Sequence, residues 1–422
     1  MHIKVKHFQP CLTQPTFASL KKGFYANCSK THQSRPMKKV VILGGGFAGV
    51  QTAISLQKSG LVDVTLVSDR DYLFVYPISI WIPVRKKTFE EVKVPLKAIK
   101  KKHPFKLVID KVTGIHASFN EVICEGQVLH YDYLVVAIGA DKIPHKGIEN
   151  TFTICGKPQQ AVELRDKLDS LVRKGGGKIA IGFGGNPKDK SAVRGGPGFE
   201  LIFNINHYLK QKGLRDKFEL TMFAPMEEPG ARMGKKAMKV LHKMFAEQHI
   251  NKRFGKKITE FVEDGVLFED GSKLQADLTM FIAAGTGSAV LKNSDLPLSE
   301  AGFVKINNFN QVEEFPNVFA IGDAAAYQGP EWTARQGHIA EVMGKNVAHN
   351  ILQIEKGSHE FKGYQEHLNI LCVMDMGNGA AFVYRDDKRE IMIPMPIVGH
   401  WLKQVWGIYA VWSKTGKLPR IL

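Results

Sequence analysis

The feature that most constrains this chain is a glycine-rich turn between an apolar stretch and a helical pattern. In the segment KKVVILGGGFAGVQTAISLQKSG, the glycines Gly44, Gly46 and Gly49 have the spacing G-x-G-x-x-G. The first glycine makes the turn, the second lets a pyrophosphate approach the backbone, and the third permits close helix–strand packing. The next apolar stretch, VDVTLVSD, ends at Ser68 and Asp69, either of which could hydrogen-bond a ribose. The segment therefore predicts a dinucleotide-binding Rossmann unit.

Two later segments indicate which dinucleotide is bound. YDYLVVAIGA is an apolar strand pattern that runs into Gly139, and FPNVFAIGDAAA is a strand pattern that ends at Gly322 and Asp323, followed by a helical pattern. An acid at a strand end beside a helix N-terminus suits the ribityl and phosphate region of FAD. The three ordered motifs resemble the two-dinucleotide-binding-domain flavoproteins, the glutathione-reductase-like superfamily, over residues 38–390. The resemblance implies FAD as the cofactor.

A second glycine-rich segment lacks the features of a nicotinamide-binding loop. In that superfamily an inserted Rossmann unit binds NAD(P)H, and here it would span residues 157–295. The stretch IAIGFGGNPKDKSAVRGGPGFE opens as a strand, but helical spacing resumes only at about Gly198. The partner strand KFELTMFAP ends in Ala224 and Pro225, with no acid for a ribose and no arginine pair for a 2′-phosphate. We interpret this unit as a degenerate scaffold and expect an electron donor other than a nicotinamide.

The five cysteines, at positions 11, 28, 124, 155 and 372, form no CxxC pair or Cys/His cluster, so no metal site is predicted. Cys155 precedes a helical pattern in TFTICGKPQQAVELRDKL, and Cys372 lies in a strand pattern in NILCVMDMGNGAAFVYRDD. Together with RGGPGFE and the ending HWLKQVWGIYAVWSKTGK, these segments resemble the sulfide:quinone oxidoreductases and the related flavocytochrome c sulfide dehydrogenases. Cys124, in a predicted meander strand, is given no role.

That resemblance implies a specific chemistry. Cys155 and Cys372 would flank the flavin as a redox-active disulfide or polysulfide bridge. Hydrosulfide attacks a disulfide sulfur, and the released thiolate can pass two electrons to a flavin. The resemblance also implies a lysine near the quinone, matched by Lys414, and a glutamate after the first cysteine, for which Glu163 is the nearest candidate.

The net charge of +17 indicates an anionic partner. No nucleic-acid-binding motif is present, so a membrane surface or an anionic substrate is preferred. The last 32 residues contain no acid, and helical spacing places an apolar set on one face, which predicts an amphipathic membrane helix: Trp401, Leu402, Val405, Ile408, Tyr409 and Trp412. The first 36 residues are basic; they are interpreted as an upstream extension before Met37 or as an organellar presequence.

The whole pattern predicts an α/β protein with two Rossmann-like dinucleotide-binding domains and a C-terminal amphipathic membrane-binding region. The expected boundaries are 1–36 for the extension, 37–156 and 296–390 for a discontinuous FAD-binding domain, 157–295 for the degenerate second domain and 391–422 for the membrane and quinone segment.

The expected function is oxidation of sulfide to polysulfide or sulfur with reduction of a membrane quinone. Three alternatives stay open: a flavocytochrome c sulfide dehydrogenase subunit, a type II NADH:quinone dehydrogenase, and a non-catalytic membrane-associated flavoprotein. The expected location is peripheral, on a bacterial plasma membrane, or on the mitochondrial inner membrane if the extension is a presequence. Homo-oligomerisation stays open.

Overall fold

The computed structural model describes residues 36–396 and 398–418, and the predictions for the N-terminal extension, with Cys11 and Cys28, lie outside them. The helices of the described part, in chain order, are α1 Phe47–Gln57, α2 Tyr76–Ser79, α3 Leu96–Lys102, α4 Gln160–Lys174, α5 Gly196–Gln211, α6 Lys235–Glu247, α7 Ala289–Lys292, α8 Gly337–Glu355 and α9 Val398–Lys414.

The strands of the same part fall into two lists. The strands before α5 are β1 Lys38–Leu43, β2 Val62–Ser68, β3 Tyr72–Phe74, β4 Lys93–Pro95, β5 Lys106–Ile109, β6 Val112–His116, β7 Glu121–Cys124, β8 Val128–His130, β9 Tyr133–Val136, β10 Asp141–Lys142 and β11 Gly177–Phe183. The later strands are β12 Phe218–Ala224, β13 Asn251–Phe254, β14 Ile258–Val262, β15 Gly265–Phe268, β16 Lys273–Gln275, β17 Leu278–Ile282, β18 Gly285–Thr286, β19 Val304–Lys305, β20 Gln311–Val312, β21 Phe315–Ala320, β22 Ala325–Ala326, β23 Ile370–Asp375, β24 Gly379–Arg385 and β25 Glu390–Pro396.

The first dinucleotide motif lies on a six-stranded sheet with the order β20-β21-β9-β1-β2-β5. All neighbours pair in parallel except β20, which is antiparallel to β21. Parallel strands covered on both faces need continuous apolar runs, and β9 (YLVV) is buried along its whole length. Because β1, β9 and β21 are adjacent, the three predicted flavin motifs follow the carboxyl ends of neighbouring strands.

A second sheet, with the order β13-β12-β11-β17, is parallel throughout. Strand β11 extends to Phe183, and α5 begins at Gly196, slightly earlier than the sequence predicts. The delay between strand and helix is therefore present. It is filled by a loop, residues 184–195, that contains a short 3-10 turn at Lys190–Ala192.

The chain after β21 differs from the sequence prediction of a following helix. A 3-10 turn covers Gly322–Ala324, Ala325 is extended, and α8 begins only at Gly337. Gly322 adopts a φ of 61°, which an α-helix does not accommodate, and β22 pairs in parallel with β19 instead. Asp323 consequently lies in a tight turn after the carboxyl end of β21, and not in the first turn of a long helix.

The C-terminal part is an antiparallel sheet, β23-β24-β25, packed against α9. Helix α5 of the second sheet also contacts β23, so α5, β23 and α9 meet in one region. Cys124 lies in an antiparallel meander, β6-β7-β8, as predicted. Within the described ranges, none of the helices combines the length and apolarity that crossing a bilayer requires.

Candidate flavin and thiol site

The glycines of the first motif have distinct steric roles. Gly44 has a φ of 110°, and a Cβ atom there would lie 2.2 Å from the carbonyl oxygen of Ala137. A Cβ atom on Gly49 would lie 2.0 Å from the carbonyl oxygen of Gly44. At Gly46, by contrast, a Cβ atom would meet nothing within 4 Å. The first and third glycines therefore permit the turn and its packing, whereas the second leaves open space at the start of α1.

This open space fits a dinucleotide phosphate. Gly46 caps α1 without a side-chain hydrogen bond, and the first turn of α1 contains no acid, so its backbone N–H groups favour an anion. Gly139 is also open, with a φ of 78°. Ser68 is buried at the end of β2, where its hydroxyl donates to the carbonyl of Arg70 at 2.7 Å, while the Asp69 side chain is 69% exposed.

One buried carboxylate contacts the second of the two predicted redox cysteines. The thiol of Cys372, on β23, donates to Oε1 of Glu200, on α5, at 3.6 Å. The other oxygen of Glu200 is paired with Nζ of Lys403, on α9, and both side chains of this pair are 6% exposed. Burial raises the pKa of the Glu200 carboxyl to about 7, against the opposing effect of Lys403. Burial and the nearby Glu200 raise the pKa of Cys372 to about 12.

Cys155 lies in a different electrostatic environment. It is buried just before α4, and burial raises the pKa of its thiol, whereas Lys142 and Arg194 lower it and Glu200 raises it. Burial and the neighbouring Arg194 lower the pKa of Lys142 to about 8. Lys142 and Arg194 therefore favour negative charge at Cys155, and Lys403 favours it at Cys372, while burial and Glu200 oppose it at both thiols. All three described cysteines are free thiols.

A second buried carboxylate fixes the neighbouring part of α9. Asp375 accepts a hydrogen bond from Trp81 Nε1 at 2.6 Å and lies 2.8 Å from His400 Nδ1. Burial tends to raise the pKa of Asp375, but the bonds from His400 and Trp81 outweigh it and hold the pKa at about 2. Asp375 is therefore ionised and its oxygens are engaged.

The two further residues that the family resemblance implies, Glu163 and Lys414, lie far apart in exposure: one is exposed and the other is buried. Glu163 is exposed in the first turn of α4, whereas the carboxylate in contact with Cys372 is that of Glu200. Lys414 is buried, paired with Glu341 on α8, and its Nζ lies 5.3 Å from the ring of Phe47, the first residue of α1. Lys414 thus borders the glycine-rich turn at the start of α1.

Glu200 ends the RGGPGFE segment but was not among the predicted site residues. The available signal was an acid within the apolar run GFELIFNIN, because an unpaired carboxylate is rarely buried in such a run.

The loop 184–195 contacts the segment that contains Asp323 and Arg335, where a nicotinamide-binding unit would have an open phosphate-binding turn. Asp189 accepts from Nη2 of Arg335 at 2.8 Å, and Arg194 pairs with Asp323. Arg335, whose side chain is 1% exposed, also donates to the carbonyls of Asp323 and Ala325 at 2.9 and 2.8 Å. We call residues 184–195 the strap, because they tie the second sheet to the flavin motif.

Comparison with known proteins identifies the family of this chain. A family model described as pyridine nucleotide-disulphide oxidoreductase matches residues 38–344. The chain belongs to this family and is an oxidoreductase with a flavin-type cofactor.

Within this family, the chain is similar to quinone-reducing enzymes of two kinds. The chain is 26% identical over 405 residues to the sulfide-quinone reductase of Aquifex aeolicus, covering 89% of this chain and 91% of that protein. The X-ray structure of the sulfide:quinone oxidoreductase from the same bacterium matches with a TM-score of 0.81 at 26% identity, over 90% of this chain and 92% of that one. A type II NADH:quinone oxidoreductase of Staphylococcus epidermidis is 24% identical over 377 residues, covering 83% of this chain and 90% of that protein.

Proposed function

We propose that this protein is a sulfide:quinone oxidoreductase that holds FAD non-covalently, oxidises sulfide to polysulfide or sulfur, and reduces a membrane quinone. The observation that carries the proposal is that Cys372, which is half-buried, contacts the buried carboxylate Glu200, while Cys155, from a distant part of the chain, is buried where the charge of the same carboxylate acts on its thiol. The similarity to the sulfide:quinone oxidoreductase of Aquifex aeolicus supports sulfide and quinone as the substrates.

The two cysteines are assigned to the sulfur chemistry. As a disulfide or polysulfide bridge they would accept hydrosulfide, and the thiolate released at Cys155 would be stabilised by Lys142 and Arg194. The flavin would supply the two-electron acceptor between this thiolate and the quinone. FAD would be held by Gly44, Gly46, Gly49, Ser68 or Asp69, Gly139, Gly322 and Asp323. No described cysteine lies on β1, on α1 or in the turn between them, which supports a non-covalent flavin.

Helix α9 is assigned to the membrane and the quinone. An ordinary surface helix buries its apolar face and exposes its charged residues. Helix α9 does the opposite, because Lys403 and Lys414 are buried while its apolar face is exposed. An exposed apolar patch marks an interaction surface, and tryptophans suit the interface of a bilayer. Lys414, beside the flavin-binding turn, would border the quinone. The protein would then be peripheral to a membrane.

The domain boundaries follow from the same assignments. Residues 37–156 and 296–390 form the proposed FAD domain, 157–295 the second Rossmann-like domain, and 391–422 the membrane and quinone segment. The strap replaces the nicotinamide cradle in this scheme, which disfavours the type II NADH:quinone oxidoreductase alternative. Sulfide, not NADH, is therefore the proposed donor.

Anaerobic stopped-flow absorbance tests the proposal. Sulfide should bleach the flavin rapidly and decylubiquinone should restore its absorbance, while NADH should act much more slowly. Cys155→Ser and Cys372→Ser should retain flavin and lose reduction by sulfide, and Cys124→Ser, buried in the β6-β7-β8 meander, is the matched control. Bleaching by NADH at least as fast as by sulfide, or normal reduction in both serine variants, contradicts the proposal.

A further inference from the structure

We propose that Glu200 is the proton acceptor and donor for the Cys372 thiol each time this sulfur makes or breaks a bond to another sulfur. The inference rests on the proposed function in one respect, namely that Cys372 takes part in sulfur exchange. It adds a residue and a proton path that the family resemblance does not supply.

The contact geometry gives Glu200 one oxygen for each partner. Oε1 accepts from the Cys372 thiol at 3.6 Å, while Oε2 is occupied by Nζ of Lys403. The ion pair is almost fully buried, so bulk water has little access to the Glu200 carboxylate. A proton that leaves Cys372 therefore has Oε1 of Glu200 as its immediate acceptor.

The charged groups around Glu200 come from three parts of the chain. Lys403 faces it from α9, Cys372 and Asp375 from β23, and Cys155 from the segment before α4. Asp375 is a poor alternative acceptor because His400 and Trp81 keep it ionised with a pKa of about 2. Burial places the pKa of Glu200 at about 7, where a carboxyl group can both take and return a proton.

The thiol itself needs such help. Because the pKa of Cys372 is raised to about 12, almost none of it is thiolate near neutral pH, and a thiolate is the nucleophile in sulfur exchange. A bare thiolate of such high pKa is also a slow leaving group. In the exchange step, the Cys372 sulfur bonds to the attacked sulfur, whose other S–S bond breaks and leaves its electron pair on the departing group. The thiol proton moves to Oε1 of Glu200, and the reverse step returns it.

Methyl methanethiosulfonate provides a test that needs neither sulfide nor quinone. It transfers a methylthio group to a cysteine and releases methanesulfinate. The rate at Cys372 is measured by quenching and mass spectrometry in flavin-loaded Cys155→Ser protein, with Glu200→Gln and Glu200→Gln/Lys403→Met added in turn. The double substitution removes both charges of the buried pair, so it keeps the test usable if the unpaired Lys403 of the single variant impairs folding.

With Glu200 present, the rate should rise with pH through about 7 and then level, as the carboxylate becomes available. Glu200→Gln should lose this rise and react at least about 100-fold more slowly near neutral pH. At high pH the order should reverse, because removal of the negative neighbour lowers the pKa of the Cys372 thiol. Glu200→Gln/Lys403→Met should lack the rise near pH 7 as well.

This crossover distinguishes proton transfer from other roles. A variant that is faster at every pH shows that Glu200 only represses ionisation of the thiol, and one that is slower by the same factor at every pH shows a structural role; either result overturns the inference. If the crossover appears but sulfide does not reduce the flavin of the native protein, the proposed function fails while the role of Glu200 stands.

Discussion

Replacing the exposed apolar side chains of α9 is expected to release the protein from membranes without loss of flavin. Trp401, Val405 and Ile408 lie on the outer face of this helix with exposed fractions of 62, 59 and 46%. Full burial of a large apolar side chain is worth roughly 1.5–3 kcal/mol. Since about half of each side chain is available, each should contribute about 1 kcal/mol to membrane binding.

Substitution of all three by glutamine, which maintains helix propensity, should therefore weaken binding by about 3 kcal/mol, or roughly 100-fold. A deletion of α9 would be a poorer test, because it would also remove the buried ion-pair partners Lys403 and Lys414. The assay is cosedimentation with vesicles that contain anionic phospholipid, with the flavin content of each variant measured in parallel.

The matched control carries three glutamines at equally exposed apolar positions elsewhere. Leu61, Phe119 and Val128 are 46, 73 and 50% exposed and do not belong to α9. This control should bind vesicles as the unaltered protein does. Equal binding by the α9 variant and its control would refute the reasoning, because the membrane would then be contacted by another surface.

Three further results are expected. Gly46→Val should fold but lose flavin, because its side chain would occupy the open space before α1. The control Gly196→Val, whose side chain also enters open space, should retain flavin. Flavin absorbance after purification measures both variants. The pKa of Glu200 is about 7 in the folded protein, above its usual value of 4.5. Proton binding by Glu200 therefore adds to the free energy of unfolding, fully below about pH 4.5, and this contribution is lost as the pH rises through 7. Glu200→Gln should remove about 3 kcal/mol of this pH dependence, seen in denaturant unfolding at several pH values. Arg335→Met should cost about 3 kcal/mol of unfolding free energy by breaking a buried pair, while Lys190→Met, in an exposed pair, should cost less than about 1 kcal/mol.

The sequence was informative where the chemistry is local. Gly44 has a positive φ, and a Cβ atom on Gly49 would clash with Gly44, a near neighbour in the chain, so the need for these two glycines is local and the pattern predicted the turn. The exposed face of α9 was likewise predicted from helical spacing, although Tyr409 is half-buried.

The missed features depend on contacts between distant segments. Glu200 contacts Cys372 and Lys403 only because α5, β23 and α9 meet, and spacing along the chain cannot show which elements meet. Glu163 was closer to Cys155 in sequence, but the turns of α4 leave it exposed. The helix expected after Asp323 is displaced because Gly322 has a positive φ and the following residues pair with β19, which is also a tertiary effect.

The strap has a consequence for how such a chain could change its electron donor. Shortening residues 184–195 to rebuild a nicotinamide cradle would remove Asp189 and Arg194, which support Arg335 and Asp323 at the flavin motif. An intermediate with a shortened loop would loosen its flavin before it gained a new reductant. In the proposed scheme, the change from a nicotinamide donor to sulfide is therefore difficult to reverse by single steps in evolution. Reversal in the laboratory would first need a substitute support for Asp323, and only then a shorter loop.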